Sequence, residues 1–138
     1  MKHSIIAFFI MAVLLMPGCK NASHNGGSPL AATKWTVVAW SASSLSPAAY
    51  HMIVEFNDTQ LSGRAAINSY SGSYSATANG VFSIGLLQAT EMAGAEDAMR
   101  AEGIYFELLR QARQFTLDHS TLQLLDAQRN DLLVFERR

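Results

Sequence analysis

Leu61-Ser62-Gly63-Arg64-Ala65-Ala66-Ile67-Asn68-Ser69-Tyr70-Ser71-Gly72-Ser73-Tyr74 is the stretch on which the fold of this chain turns. Two β-prone runs, Leu61–Ile67 and Tyr70–Thr77, flank Asn68-Ser69, a pair that reads as a bulge or a corner. Successive side chains of a strand point to opposite faces, so Tyr70 and Tyr74 place their rings on one face, two pleats apart. Gly63 and Gly72 carry no side chain where a curved sheet needs a bend or a close backbone approach, and Asn68 is able to hydrogen-bond its own chain at a corner.

The same texture continues on both sides. Upstream lie Trp35–Trp40 and His51–Phe56; downstream lie Val81–Leu86, Gln114–Asp118, Thr121–Leu125 and Leu132–Glu136. Phe82/Ile84/Leu86 and Leu122/Leu124 show the period-two alternation of half-buried antiparallel strands. Asn79-Gly80 favours a tight hairpin because both residues tolerate positive φ, while Asn57-Asp58 and Asp118-His119-Ser120 fit other turns. Eight short strands with one apolar face predict a mainly β fold of the α+β class. The expected form is a strongly curved antiparallel sheet or small barrel, since closure removes exposed edges.

One segment departs from this pattern. From Glu96 to Arg113 the apolar residues Met99, Ile104, Tyr105, Leu108, Leu109 and Ala112 recur at three- and four-residue intervals, which predicts a single amphipathic helix packed on the sheet. Glu96 and Asp97 sit at its positive end, Arg110 and Arg113 at its negative end. Gly103 costs about 1 kcal/mol against alanine inside a helix, so the first turns are expected to be kinked or separate. A lid on the sheet is the reading preferred over a partner-binding helix.

The N-terminus has a different character. Met1-Lys2-His3-Ser4 precedes the apolar run Ile5–Met16, the positive start and hydrophobic stretch of an export signal. A membrane-spanning helix needs about 20 apolar residues, and this run stops short at Pro17-Gly18. Leu15-Met16-Pro17-Gly18-Cys19 resembles the bacterial lipobox, which implies cleavage after residue 18 and lipid attachment at Cys19; an ordinary signal cut near Gly18 is the alternative. Cys19 is the single cysteine of the 138 residues, so no intramolecular disulfide is available to it. Residues 19–32, rich in Gly, Ser and Asn, read as a flexible tether, with His24 a linker residue, and residues 33–138 as the domain. Lys20 rather than aspartate follows the cysteine, which favours the outer membrane, facing the periplasm.

Without residues 1–18 the chain keeps 120 residues and a net charge of about −2, a size that suits one domain. No basic patch stands out, which argues against nucleic acid as a partner. Catalytic patterns are missing too: there is no Gly-x-Ser-x-Gly elbow and no phosphate loop. Asp118-His119 reads as a hairpin tip, His51 as an edge residue, and Glu91, Glu96 and Asp97 as acids explained by the helix dipole, so no metal or other cofactor is expected.

Taken together, the opening Thr33-Lys34-Trp35-Thr36-Val37, the Leu61–Tyr74 stretch, Ile84-Gly85, Thr90-Glu91-Met92-Ala93-Gly94, Glu102 and Leu122-Gln123-Leu124 with Leu132-Val134-Phe135 resemble the META domain, or HslJ-like, family. Members of that family often carry a cysteine just before the asparagine and another after the Thr-x-Met segment, thought to form a disulfide; the corresponding residues here are Ile67 and Gly94. With no thiol in the domain, thiol redox chemistry is excluded. The resemblance implies a non-enzymatic envelope protein that acts under stress by binding another envelope component. The alternative is a carrier holding a small apolar ligand in its curved sheet.

Overall fold

The computed structural model describes residues 27–138. The signal, Cys19 and His24 lie outside them. All eight expected strands are present: β1 Thr33–Trp40, β2 Ile53–Phe56, β3 Gln60–Arg64, β4 Ser69–Ala76, β5 Phe82–Ala89, β6 Gln114–Leu117, β7 Thr121–Leu125 and β8 Asp131–Arg137. One α-helix, α1, spans Glu96–Gln111. The strands form a single antiparallel sheet in the order β5-β4-β3-β2-β1-β8-β7-β6.

The sheet curls until its two edge strands nearly meet. Val81 bridges Gln114, the Phe82 N–H donates to the Arg113 carbonyl at 2.9 Å, and the Phe115 N–H donates to the Gly80 carbonyl at 2.9 Å. Beyond that rung β5 and β6 diverge, so the molecule is a half-barrel with a slit rather than a closed barrel. Its concave side is filled by Trp35, Val54, Phe56, Leu61, Tyr74, Phe82, Leu122, Leu124, Leu133 and Phe135, all buried. Phe56 meets Tyr74 edge to face at 4.9 Å between ring centroids, a favoured aromatic geometry. Tyr70 and Tyr74 share the inner face, as the alternation requires.

Several local expectations are corrected by pairing. Leu86 was expected inside with Phe82 and Ile84, yet it is 83% exposed. Tyr74 pairs with Ile84 but Gly72 pairs with Leu87, so β5 carries one extra residue around Gly85-Leu86. Such a bulge flips the inward set by one position, and Leu87 packs against the core instead. The β4–β5 turn is likewise not a two-residue turn: only Gly80 has positive φ, at 84°, and its N–H closes back on the Thr77 carbonyl at 3.0 Å. His51 does not open a strand. It ends a short 3-10 helix, Pro47–Tyr50, with a left-handed φ of 50°.

The helix is shorter than its periodicity suggested. Arg113 is taken into the sheet, donating to the Leu125 carbonyl at 2.8 Å and accepting from Phe82, so the helical run stops at Gln111. Ala101, Glu102, Tyr105, Leu108, Leu109 and Ala112 form the buried face. Met99, expected on that face, is 50% exposed. Residues 28–32 are not tether either: Leu30 is fully buried and Ser28 accepts a hydrogen bond from the Tyr74 hydroxyl at 2.8 Å.

Candidate functional site

The corner after β3 is where side-chain chemistry concentrates. Arg64 and Ser69 form the last pair of β3 and β4, and the Ala65 N–H closes the turn on the Asn68 carbonyl at 2.8 Å. β3 therefore ends three residues before the expected Ile67, which leaves the N–H groups of Ile67 and Asn68 without a strand partner. Glu102 of α1 supplies one. Its Oε2 accepts both N–H groups at 2.8 Å, and its Oε1 accepts the Asn68 side-chain amide at 2.7 Å. Successive backbone N–H groups aimed at one anion make a favourable concave site, and hydrogen bonds to a charged acceptor are the stronger kind.

Asn68 then reaches the segment between β5 and α1. Its Nδ2 donates a second bond to the Met92 carbonyl at 3.2 Å, and its Oδ1 accepts from Thr90 Oγ1 and from the Met92 N–H, both at 2.8 Å. An asparagine side chain has two donors and two acceptor positions, and all four are used. Asn68 and Glu102 are the two buried polar or charged residues among those described, and no buried side-chain polar atom there lacks a partner. The arrangement is a clasp joining the β3–β4 turn, the β5–α1 loop and the helix.

A second buried polar contact lies below it. The Tyr70 hydroxyl donates to the Ile53 carbonyl at 3.0 Å and stands 2.5 Å from the Tyr105 hydroxyl, with the rings edge to face at 5.6 Å. Burial pushes both phenols above their ordinary range; for Tyr70 the proximity and hydrogen bond of Tyr105 add to this. Both stay neutral at physiological pH. Gly63 makes the contact possible, because a Cβ there would overlap the Ile53 carbonyl and sit 2.8 Å from the Tyr70 hydroxyl.

Ile67 and Gly94 are neighbours. A Cβ built on Gly94 would lie 2.5 Å from Ile67 Cδ1 and 2.9 Å from Cγ1. Cγ1 is one carbon–carbon bond from Cβ, which bounds the two Cβ positions to within about 4.4 Å, inside the range a disulfide needs.

The other sequence candidates stay apart. Asp118 Oδ1 accepts the N–H groups of Ser120 and Thr121 at 2.9 and 2.8 Å, and those bonds hold its carboxyl below the usual range; His119 beside it is exposed. Glu96 pairs with Arg100 one turn on, at 3.1 Å, and Asp97 accepts the Tyr50 hydroxyl at 3.1 Å. Glu91 is exposed, and among the described residues no three His, Cys, Asp or Glu side chains gather to hold a metal ion. Cys19 lies outside the described residues. What sequence reasoning missed was the role of Glu102. A lone acid three residues before Tyr105 and seven before Leu109, on the buried stripe of the helix, was the available signal.

Comparison with known proteins agrees with this architecture. No curated protein matches the chain at a significant level. Among solved structures it is similar to a protein from Burkholderia xenovorans determined by NMR, at 24% identity and TM-score 0.66, covering 79% of this chain and 83% of that one. It is also similar to a DUF4847 family protein from Bacteroides vulgatus, at 14% identity and TM-score 0.58, covering 78% and 94%. These likenesses concern the fold. The sequence matches the family model described as META domain over residues 28–138, a span that includes Ser28 and Leu30 as well as the clasp, and the chain therefore belongs to the META domain family.

Proposed function

We propose that this protein is a lipid-anchored, non-enzymatic module of the bacterial envelope, and that its META domain engages another envelope component under stress. The observation that carries this reading is the internal use of its polar residues. Asn68, Glu102, Tyr70 and Tyr105 spend their hydrogen bonds on one another and on the backbone, so the region richest in chemistry acts as framework. A filled concave side also favours recognition on the outer surface over carriage of a ligand inside.

The anchor rests on Cys19 in its lipobox-like setting. Changing Cys19→Ala is expected to give an exported protein that leaves the membrane fraction without detergent; retention in the membrane would refute lipid anchoring. Native mass spectrometry of the protein purified from its own envelope tests the rest. Co-purification of a protein component supports the binding module, whereas a stoichiometric small apolar molecule would favour the carrier.

A further inference from the structure

We infer that the end of the half-barrel from which the N-terminal segment departs is a membrane-contact surface, and that its occupant is the phospholipid face of the bilayer. This rests on the lipid anchor proposed above. Gly27 begins the described chain beside the β2–β3 turn, where an added Cβ would lie 3.8 Å from an Asp58 carboxylate oxygen. Two residues on, Pro29 forms one wall of a hollow of about 530 Å³, whose other walls include Gly80 of the β4–β5 turn, Leu117 of β6 and Arg129 of the β7–β8 turn. The hollow lies between the β4–β5 turn and β6, just past the Val81–Gln114 rung.

The rim suits an interface of headgroups and the first methylenes. Val81 is 50% exposed and Leu117 36%. Arg129 is held at φ 68° with its N–H on the Asp126 carbonyl at 3.1 Å, and one Nη donates to Gln114 Oε1 at 2.9 Å. A guanidinium has five N–H donors in a planar fork that matches phosphate, so a fixed Arg129 has capacity to spare for a lipid phosphate. Asp58 and Asp118 lie at the same end, and so do Lys34, paired with Glu55, and Arg137, whose guanidinium lies over Trp35, so charges of both signs surround the apolar pair and the contact does not rest on a general positive field.

Chain length gives the geometry its force. Eight residues from Cys19 to Gly27 span at most about 28 Å. The Asn68–Glu102 clasp stands at the other end of β4 from the β4–β5 turn, about 26 Å along its eight residues. A link of that length keeps this end of the domain close to the bilayer, so that even a weak contact there is made within one molecule.

The test uses the full lipidated chain purified from envelopes, carrying an environment-sensitive fluorophore at Leu117→Cys, at Val81→Cys or, at the far end, at Met99→Cys. Each is reconstituted into vesicles of phosphatidylethanolamine with a minority of phosphatidylglycerol, some of it bearing headgroup nitroxide. Flotation with the vesicles reads the anchor; nitroxide quenching reads the face. Loss of emission at Leu117 and Val81 but not at Met99, weakened by Arg129→Ala, is the expected result. Flotation with equal or absent quenching at the two ends overturns the docking surface and leaves the anchor standing. Failure to float overturns the anchor, and the docking surface with it.

Discussion

Removing Glu102 strips an acceptor from three donors at once, and the consequence follows from where those donors lie. Glu102→Ala leaves the Ile67 and Asn68 N–H groups and one Asn68 amide hydrogen without their partner, at a corner where Asn68 itself is buried. A buried donor left unsatisfied costs about 1–3 kcal/mol; with partial rehydration at the half-buried Ile67, the total should be about 3–4 kcal/mol. For a domain near 110 residues that corresponds to a fall in melting temperature of roughly 10–15 °C. Glu102→Gln keeps the shape but turns one acceptor into a donor facing Asn68 Nδ2, so about 1–3 kcal/mol is expected. Urea denaturation of both variants in a Cys19→Ala background gives the two numbers, and amide exchange should show protection lost at Ile67 and Asn68. A cost under about 1 kcal/mol for Glu102→Ala would show that the clasp does not hold the corner, and the reasoning from buried donors would fail.

Three further outcomes are expected. Leu109→Ala, at a fully buried position on α1, should destabilise the domain by about 2–5 kcal/mol in the same assay; a change under about 0.5 kcal/mol would contradict the packing of that face. Gly103→Ala should stabilise by about 0.5–1 kcal/mol, because an added Cβ there meets nothing within 4 Å and the helix gains propensity; a loss of stability would reveal a contact the geometry lacks. Ile67→Cys with Gly94→Cys should form a bridge in an oxidising compartment and raise the melting temperature on oxidation, about 3.5 kcal/mol being the chain-entropy estimate for a loop of 28 residues; free thiols in the folded protein would refute the adjacency.

The strands were legible because each is half-buried, and a half-buried strand writes its two faces into its own sequence, as Leu122 and Leu124 do. What the alternation in β5 did not show was the bulge. Whether Leu86 or Leu87 faces inward depends on how β5 pairs with β4, and the local mark of that shift is Gly85 in mid-strand, where a Cβ would meet Ser73 Oγ. The same holds for the end of α1, where Ala112 continues the helical period while Arg113 is claimed by the sheet. Pro47 after Ser46 is a local signal for the short 3-10 helix. The clasp was half legible: Asn68 was read as a corner residue, but its partner stands 34 residues away on an element whose apolar stripe drew attention from the one acid within it.

That separation also explains why the corner is built as it is. Residues 90–95 form no helix or strand between β5 and α1, and a segment of that kind must otherwise satisfy its backbone with water. Here the Thr90 N–H donates to the Ser69 carbonyl at 3.0 Å, and both backbone groups of Met92 go to Asn68. At Gly94 the chain passes against Ile67, close enough that any side chain would displace the isoleucine. The resemblance implies a disulfide at this pair in other family members, and this chain has an apolar contact instead. The clasp and that contact act on the same two segments, so their contributions should not be independent. Combining Glu102→Gln with the oxidised Ile67→Cys, Gly94→Cys pair should therefore cost less than Glu102→Gln alone, since a covalent bridge holds the turn to the loop when the carboxylate is impaired. Strict additivity of the two effects in denaturation would mean that the corner is held by parts that do not cooperate.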